Sequence, residues 1–240
     1  MVTRPVPPDL GDYHPADYRP YGNPEGIVHR FKAALLRACI RRAMGSQGPF
    51  RLLDVGCGGG ALLHPLSREG WELCGLEPDR ACVERLRAAL GIDVRQGVLQ
   101  DRLFDPPFDV VTMIHVLEHV PDPASDVAEV RRLLRPGGAF IVEVPAADCY
   151  GFALLGERWP GLDLPRHLTH FTAAALGRLL ERSGFRVRDV HRRPAPGFEL
   201  LALHRSLIGR PLLAAALYPA TWFVHRIFRG PVVRMIARRV

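Results

Sequence analysis

No two of the five cysteines, Cys39, Cys57, Cys74, Cys82 and Cys149, form a CxxC pair, and they make no metal-like cluster. That absence argues against a disulfide framework and against a cysteine-built zinc site, and reduced thiols are the simplest account. The opening residues, Met1-Val2-Thr3-Arg4-Pro5-Val6-Pro7-Pro8, contain no apolar run behind a basic start, so no secretory leader is expected. The expected location is cytoplasmic. Near the C-terminus, the uncharged stretch Pro211 to Val224 falls short of the roughly 20 apolar residues of a membrane span, and Pro219 would kink it. There is no internal repeat, no low-complexity segment and no DNA- or RNA-base motif such as an Asn/Asp-Pro-Pro-Tyr run. A nucleic-acid partner is therefore not favoured.

What is present is an apolar fraction of 48%, enough to bury a large core in 240 residues. The formal charge of +7 is unevenly placed. From Arg186 to Val240 there are 11 Arg against Asp189 and Glu199, a net +9, which leaves −2 for the preceding residues. Basic charge mixed with apolar residues points to an anionic membrane surface more than to a nucleic-acid groove.

The hydrophobic period divides the chain. Residues 1–48 read as a Pro- and Tyr-rich arm (Tyr13, Tyr18, Tyr21) followed by a helix from Ile27 to Met44, together a lid. Residues 49–194 alternate strands and helices. Strands are expected at Arg51–Val55, Glu72–Leu76, Asp93–Gln96, Asp109–Ile114 and Ala139–Val144, with helices between them, one of which runs from the glycines to about Arg68. Thr172 to Ser183 is a further helix with Thr172 as N-cap and Gly184 beyond its end, and Phe185–Val190 a further strand. This rhythm predicts an α/β, Rossmann-like doubly wound, mostly parallel seven-stranded sheet with helices on both faces. Residues 195–240 read as a basic, apolar helical tail. Phe223, Val224, Ile227 and Phe228 form an apolar stripe opposed by His225, Arg226 and Arg229, which suits peripheral binding to the inner membrane face through residues 205–240. A helical cap on the catalytic domain or a dimer interface is the alternative.

The most informative stretch is Leu52-Leu53-Asp54-Val55-Gly56-Cys57-Gly58-Gly59-Gly60. A buried strand ends in a tight turn whose glycines let backbone N–H groups approach a ligand, and the helix after it offers its positive end. Glu77 ends the next strand, 21 residues after Gly56, where a carboxylate can accept both ribose hydroxyls. A glycine turn can serve packing alone and a strand-end Glu can be merely solvated. In this order, the two together indicate a nucleoside cofactor.

Five motifs carry a family resemblance: Asp54-Val55-Gly56-Cys57-Gly58, Gly75-Leu76-Glu77-Pro78, Phe108-Asp109-Val110-Val111, Val116-Leu117-Glu118-His119-Val120 and Leu134-Arg135-Pro136-Gly137-Gly138. From about Leu52 to Phe185 the chain resembles the class I S-adenosylmethionine (SAM)-dependent methyltransferases, in the branch that includes ubiquinone-pathway O-methyltransferases. The resemblance implies that Asp54, Gly56, Cys57 and Gly58 hold the methionine end of SAM, and that Glu77 and Pro78 hold the ribose. It places Gly97, Val98 and Leu99 near adenine and His115 at the cofactor edge. The family often has an acid where this chain has Val98.

Two histidine groups are candidates for chemistry. His115-Val116-Leu117-Glu118-His119 follows the fourth strand, and Pro165-Arg166-His167-Leu168-Thr169-His170 follows the fifth. His167, with His119 and His170, is the candidate general base, since histidine titrates near neutrality. Some relatives bind a divalent metal through an acid-x-x-Glu-His run; here His115 replaces the first acid, and no metal ligand is assigned. Trp159 and Asp163 are candidates for the acceptor wall. The expected activity is methyl transfer to a small-molecule or lipid-linked saccharide acceptor on oxygen. A turnover-less SAM-binding scaffold and a nucleic-acid enzyme are the alternatives.

Overall fold

The computed structural model describes residues 1–2, 27–193 and 230–240. Its helices are α1 (Ile27–Met44), α2 (Leu63–Leu66), α3 (Arg80–Leu90), α4 (Pro123–Leu133), α5 (Tyr150–Leu155) and α6 (Ala173–Arg182). Its strands are β1 (Arg51–Val55), β2 (Glu72–Glu77), β3 (Asp93–Gln96), β4 (Phe108–Ile114), β5 (Leu134–Pro145), β6 (Phe185–Arg193) and β7 (Val232–Arg239).

The helices begin and end where local chemistry satisfies their loose backbone groups. Asp79 accepts from Cys82 N at 2.7 Å to cap α3, and Gly91 ends that helix at φ +64°. Asp122 caps α4, with Pro123 in its first turn. Thr172 Oγ1 accepts from Ala175 N at 3.1 Å, as the N-cap reading of α6 requires. The helix expected to reach Arg68 is shorter. α2 ends at Leu66 and a 3₁₀ turn, Ser67–Glu69, follows it. The preceding glycines and Pro65, which lacks an N–H, explain its shortness.

The seven strands lie in the order β3-β2-β1-β4-β5-β7-β6. All neighbours are parallel except β7, which runs antiparallel to both β5 and β6. The central strands are near-continuous apolar runs, as strands covered on both faces must be. On one face Phe108, Phe140, Val142 and Met235 pack with Leu133 of α4 and Leu180 of α6. On the other, Leu52, Ile141 and Ile236 pack with Ile40 of α1, Leu63 of α2 and Leu86 of α3.

Val232–Arg239 is a buried strand, not part of a membrane-facing helix. β-Branched Val232, Val233 and Ile236 favour the pleated backbone, and pairing on both edges satisfies every neighbour. The apolar stripe at 223–228, the remainder of the tail from 194 to 229 and the arm tyrosines lie outside the described residues. Among the described residues no helix is long and apolar enough to cross a membrane.

Candidate active site

β1 delivers Asp54 and the glycine loop to the C-terminal edge of the sheet, where parallel α/β sheets bind ligands. Gly56, Gly58 and Gly60 take φ of +67°, +52° and +78°. A Cβ on Gly56 would lie 2.4 Å from Val116 Cγ2, and one on Gly60 would lie 2.3 Å from Leu86 Cδ2. The loop therefore sits hard against the segment that follows β4. Gly56 N and Cys57 N both donate to the Leu76 carbonyl, at 2.7 and 3.2 Å, which ties the loop to the end of β2. Cys57 is buried, and burial pushes its thiol up. It is held as a neutral thiol.

Two carboxylates face this loop. Asp54 is 5% exposed and accepts from Thr112 Oγ1 at 2.6 Å. Burial first, and then the Glu77 charge against the opposing Thr112 bond, raises its carboxyl to about 7. Glu77 accepts from Gly58 N at 2.8 Å and from Asp79 N at 3.0 Å, and burial raises its pKa despite those bonds. Among the described residues no cation pairs with either. Two buried acids with no counter-ion form a site for a cationic ligand with hydroxyls, and a poor one for an anionic pyrophosphate. Pro78 follows, its carbonyl accepting from Gln96 Nε2 at 3.2 Å.

Gly97 N donates to the Glu77 carbonyl at 3.1 Å, so the β3 edge joins the same cradle. Val98 is 51% exposed and Leu99 is buried. Asp101, three residues on, accepts from Val98 N through its Oδ2 at 2.8 Å and so caps the turn that follows β3. A Cβ on Gly97 would meet that same oxygen at 2.5 Å. Asp101 was not singled out from the sequence, although an acid three residues past Val98 is a turn-capping signal.

His115 adopts φ +56°, uncommon for a residue with a side chain. Its Nδ1 lies 3.2 Å from Glu118 Oε1 and its Nε2 lies 3.5 Å from Glu143 Oε1. Burial opposes its protonation, but the two carboxylates prevail and raise it to about 10. The same contacts, with Arg234, hold the buried Glu143 at about 2 against its desolvation. Glu143 and Arg234 went unread in the sequence. Their signal was a charged residue inside each of two apolar strands, Ala139–Val144 and Val232–Ala237.

The loop after β4 and the segment before α6 are joined. The Glu118 carbonyl accepts from Leu168 N at 2.7 Å and from Thr169 N at 3.1 Å. His119 Nδ1 lies 3.1 Å from the Arg166 carbonyl, and the His119 and His167 rings meet edge-on at 4.7 Å. His167 Nδ1–H donates to the Gly161 carbonyl at 2.9 Å, a tautomer that places the ring's lone pair on Nε2. Burial lowers the His167 pKa, so the ring is held neutral. His170 lies at the edge of this group, 6.4 Å from His167 between ring centres, and burial lowers it to about 4. Its N–H donates to the Met1 carbonyl, and Val2 bridges Thr169, so the first residues lie along this segment. Trp159 is buried with Cys149 and Leu162 and packs instead of forming an open wall, whereas Asp163 holds Arg166 at 2.7 Å.

Glu118, His119 and His167 bring one ligand atom each within 4.8 Å of one another. Glu118 Oε2 is buried without a hydrogen-bond partner. This mixed N/O set fits a divalent cation. It also fits a dry acid–base cluster in which Glu118 stabilises an imidazolium.

The methyltransferase-domain family matches residues 26–190, more than half of the chain. The chain belongs to this family. The methyltransferase is similar to the ubiquinone biosynthesis O-methyltransferase of Alkalilimnicola ehrlichii, 38% identical over 129 residues that cover 50% of this chain and 52% of the relative. It thus spans about half the length of that curated relative. Its fold is that of a SAM-dependent methyltransferase from Mesorhizobium loti (TM-score 0.58, 23% identity, 84% of this chain and 96% of that one). The same fold is found in the [4+2]-cyclase SpnF (TM-score 0.60, 21% identity, 85% and 80%). A shared fold does not itself fix the reaction, so the site must carry that argument. The nearest approach to a nucleic-acid base motif, Asp105-Pro106-Pro107-Phe108, enters β4 at the end opposite the glycine loop.

Proposed function

We propose that this methyltransferase moves the methyl group of SAM to a hydroxyl oxygen of a small-molecule acceptor. The observation that carries the reading is the pair of buried, uncompensated carboxylates at the glycine loop. Asp54 answers the ammonium of the methionine end, and Glu77 exchanges its loop bonds for ribose hydroxyls. The reaction is an in-line displacement from sulfur, in which positioning supplies about 7–11 kcal/mol. His167 Nε2 takes the acceptor proton as the oxygen attacks, and Glu118 stabilises the imidazolium that forms. Such a base contributes roughly 10²–10⁴-fold. A lipid-linked saccharide is the second acceptor class to screen, and of the segment 205–240 the part before β7 is where membrane attachment would reside.

The unpartnered Glu118 Oε2 favours a second reading, with a divalent cation held by Glu118, His119 and His167. Such a cation would lower the pKa of an acceptor hydroxyl. The two readings differ in the role of His167. The test is transfer of labelled methyl from SAM to a panel of catechols, phenols, sugars and amines, before and after dialysis against a chelator. The base reading expects labelled methyl ethers, unchanged turnover after chelation, and a His167→Asn variant slowed about 10²–10⁴-fold with SAM affinity intact. Label recovered only on nitrogen contradicts the oxygen assignment, and turnover abolished by chelation and restored by one equivalent of metal contradicts the base.

A further inference from the structure

Arg234 and Arg193 converge on one carboxylate. Arg234 lies on β7 opposite Glu143 of β5 and His191 of β6. Its Nε and one terminal nitrogen each stand 2.7 Å from Glu143 Oε2. Arg193, at the end of β6, approaches the same oxygen at 3.9 Å. Among the described residues no second carboxylate answers these two guanidiniums, so one positive charge is left over before His115 is counted. The Arg234 side chain is only 5% exposed, and its remaining terminal nitrogen, Nη1, is buried with no hydrogen-bond partner. Folded proteins rarely leave a charged donor in that state.

The position of this surplus is informative. Ile141 and Ile236 belong to the core under α1, and strand alternation puts Glu143 and Arg234 on that same face. Asp54 and Thr112 share that face too, through Leu52 and Val110. Ile114 of β4 pairs with Glu143, so His115 borders the cluster on one side and the glycine loop on the other. Strands lie about 4.8 Å apart, which sets β7 about 10 Å along the sheet edge from β4. Arg193 and His115 are partly open, with side chains 22% and 27% exposed.

We infer that Arg234 and Arg193 form a subsite for an oxyanion, a carboxylate or phosphate, of the methyl acceptor. The inference rests on the proposed function, and it adds an anionic arm to the acceptor class. Arg234 Nη1 gains the acceptor it lacks, and the surplus charge is neutralised without disturbing the bond to Glu143.

The test is calorimetric titration of the full chain saturated with S-adenosylhomocysteine. The probes are dihydroxyphenylpropionate, its uncharged amide and the corresponding phosphonate. The expected result is that the acid or the phosphonate binds at least about tenfold more tightly than the amide, the preference between the two anions naming the source. Arg193→Gln, at a half-open position, removes that preference while S-adenosylhomocysteine affinity and the thermal transition are kept; Arg193→Lys restores part of it. Equal binding of all three probes, or binding of none to protein that does hold S-adenosylhomocysteine, overturns the subsite. Failure to hold S-adenosylhomocysteine overturns the methyltransferase reading, and this inference with it.

Discussion

Replacing Asp54 by Asn keeps the shape and the Thr112 hydrogen bond while removing a carboxyl that the fold buries. In the folded chain that carboxyl titrates at about 7, against 3.8 when solvated. A group whose folded pKa is raised contributes stability that is fully present below the unfolded value and lost as pH rises through the folded one. At 1.36 kcal/mol per pH unit the whole excursion is worth about 4 kcal/mol, of which about 2.5 is lost between pH 5 and pH 8. For a chain of this size each kcal/mol moves the melting temperature by about 2–4 °C. The ligand-free wild type should therefore lose about 5–10 °C more than Asp54→Asn over that interval, since groups that do not interact with Asp54 titrate alike in both. SAM binding provides the complementary reading. If the ionised carboxylate meets the ammonium, wild-type affinity should be about tenfold weaker at pH 6 than at pH 8, and the variant should lose this dependence along with most of its affinity. Parallel thermal curves for the two proteins would refute the assignment of a buried, uncompensated acid at Asp54.

Two further outcomes follow from packing. Gly56→Ala combines a left-handed backbone with a methyl 2.4 Å from Val116 Cγ2 and should cost about 2–4 kcal/mol. Gly45→Ala, left-handed but with open space around it, should cost only about 1 kcal/mol, and urea denaturation of the two variants checks the difference. Arg234→Met leaves Glu143 buried with only His115 and Arg193 as partners. It should destabilise toward the lower end of about 3–5 kcal/mol, while Glu143→Gln/Arg234→Met together recovers much of the loss in a double-mutant cycle.

Much of the fold was legible because its signals are local. Ile27–Met44, Arg80–Leu90 and Asp93–Gln96 were placed with the bounds they have in the structure, since apolar period, an Asp cap and a terminal glycine all act within a few residues. β7 was not, because a strand buried on both faces and a short apolar helix share one composition. What makes Val232–Arg239 a strand is the pair of edges offered by β5 and β6, one of them nearly a hundred residues away. The proposed cofactor cradle rests on Asp54, the glycines and Glu77, whose closeness at the sheet edge follows from their local spacing. The Glu143–Arg234 pair was not legible, since only the sheet register sets the two side by side. The histidines fall between these cases: His119 and His167 were both identified, but their edge-on contact depends on the Glu118 carbonyl holding Leu168 and Thr169.

The central claim is that the glycine loop, Asp54 and Glu77 form a SAM cradle. Calorimetric titration of the purified chain with SAM and, separately, with NAD tests it most directly, with Glu77→Ala beside the wild type. The account predicts micromolar SAM binding to the wild type, no NAD binding, and loss of SAM binding in a variant that still melts cooperatively. Folded wild-type protein that fails to bind SAM, or that binds NAD instead, would contradict it.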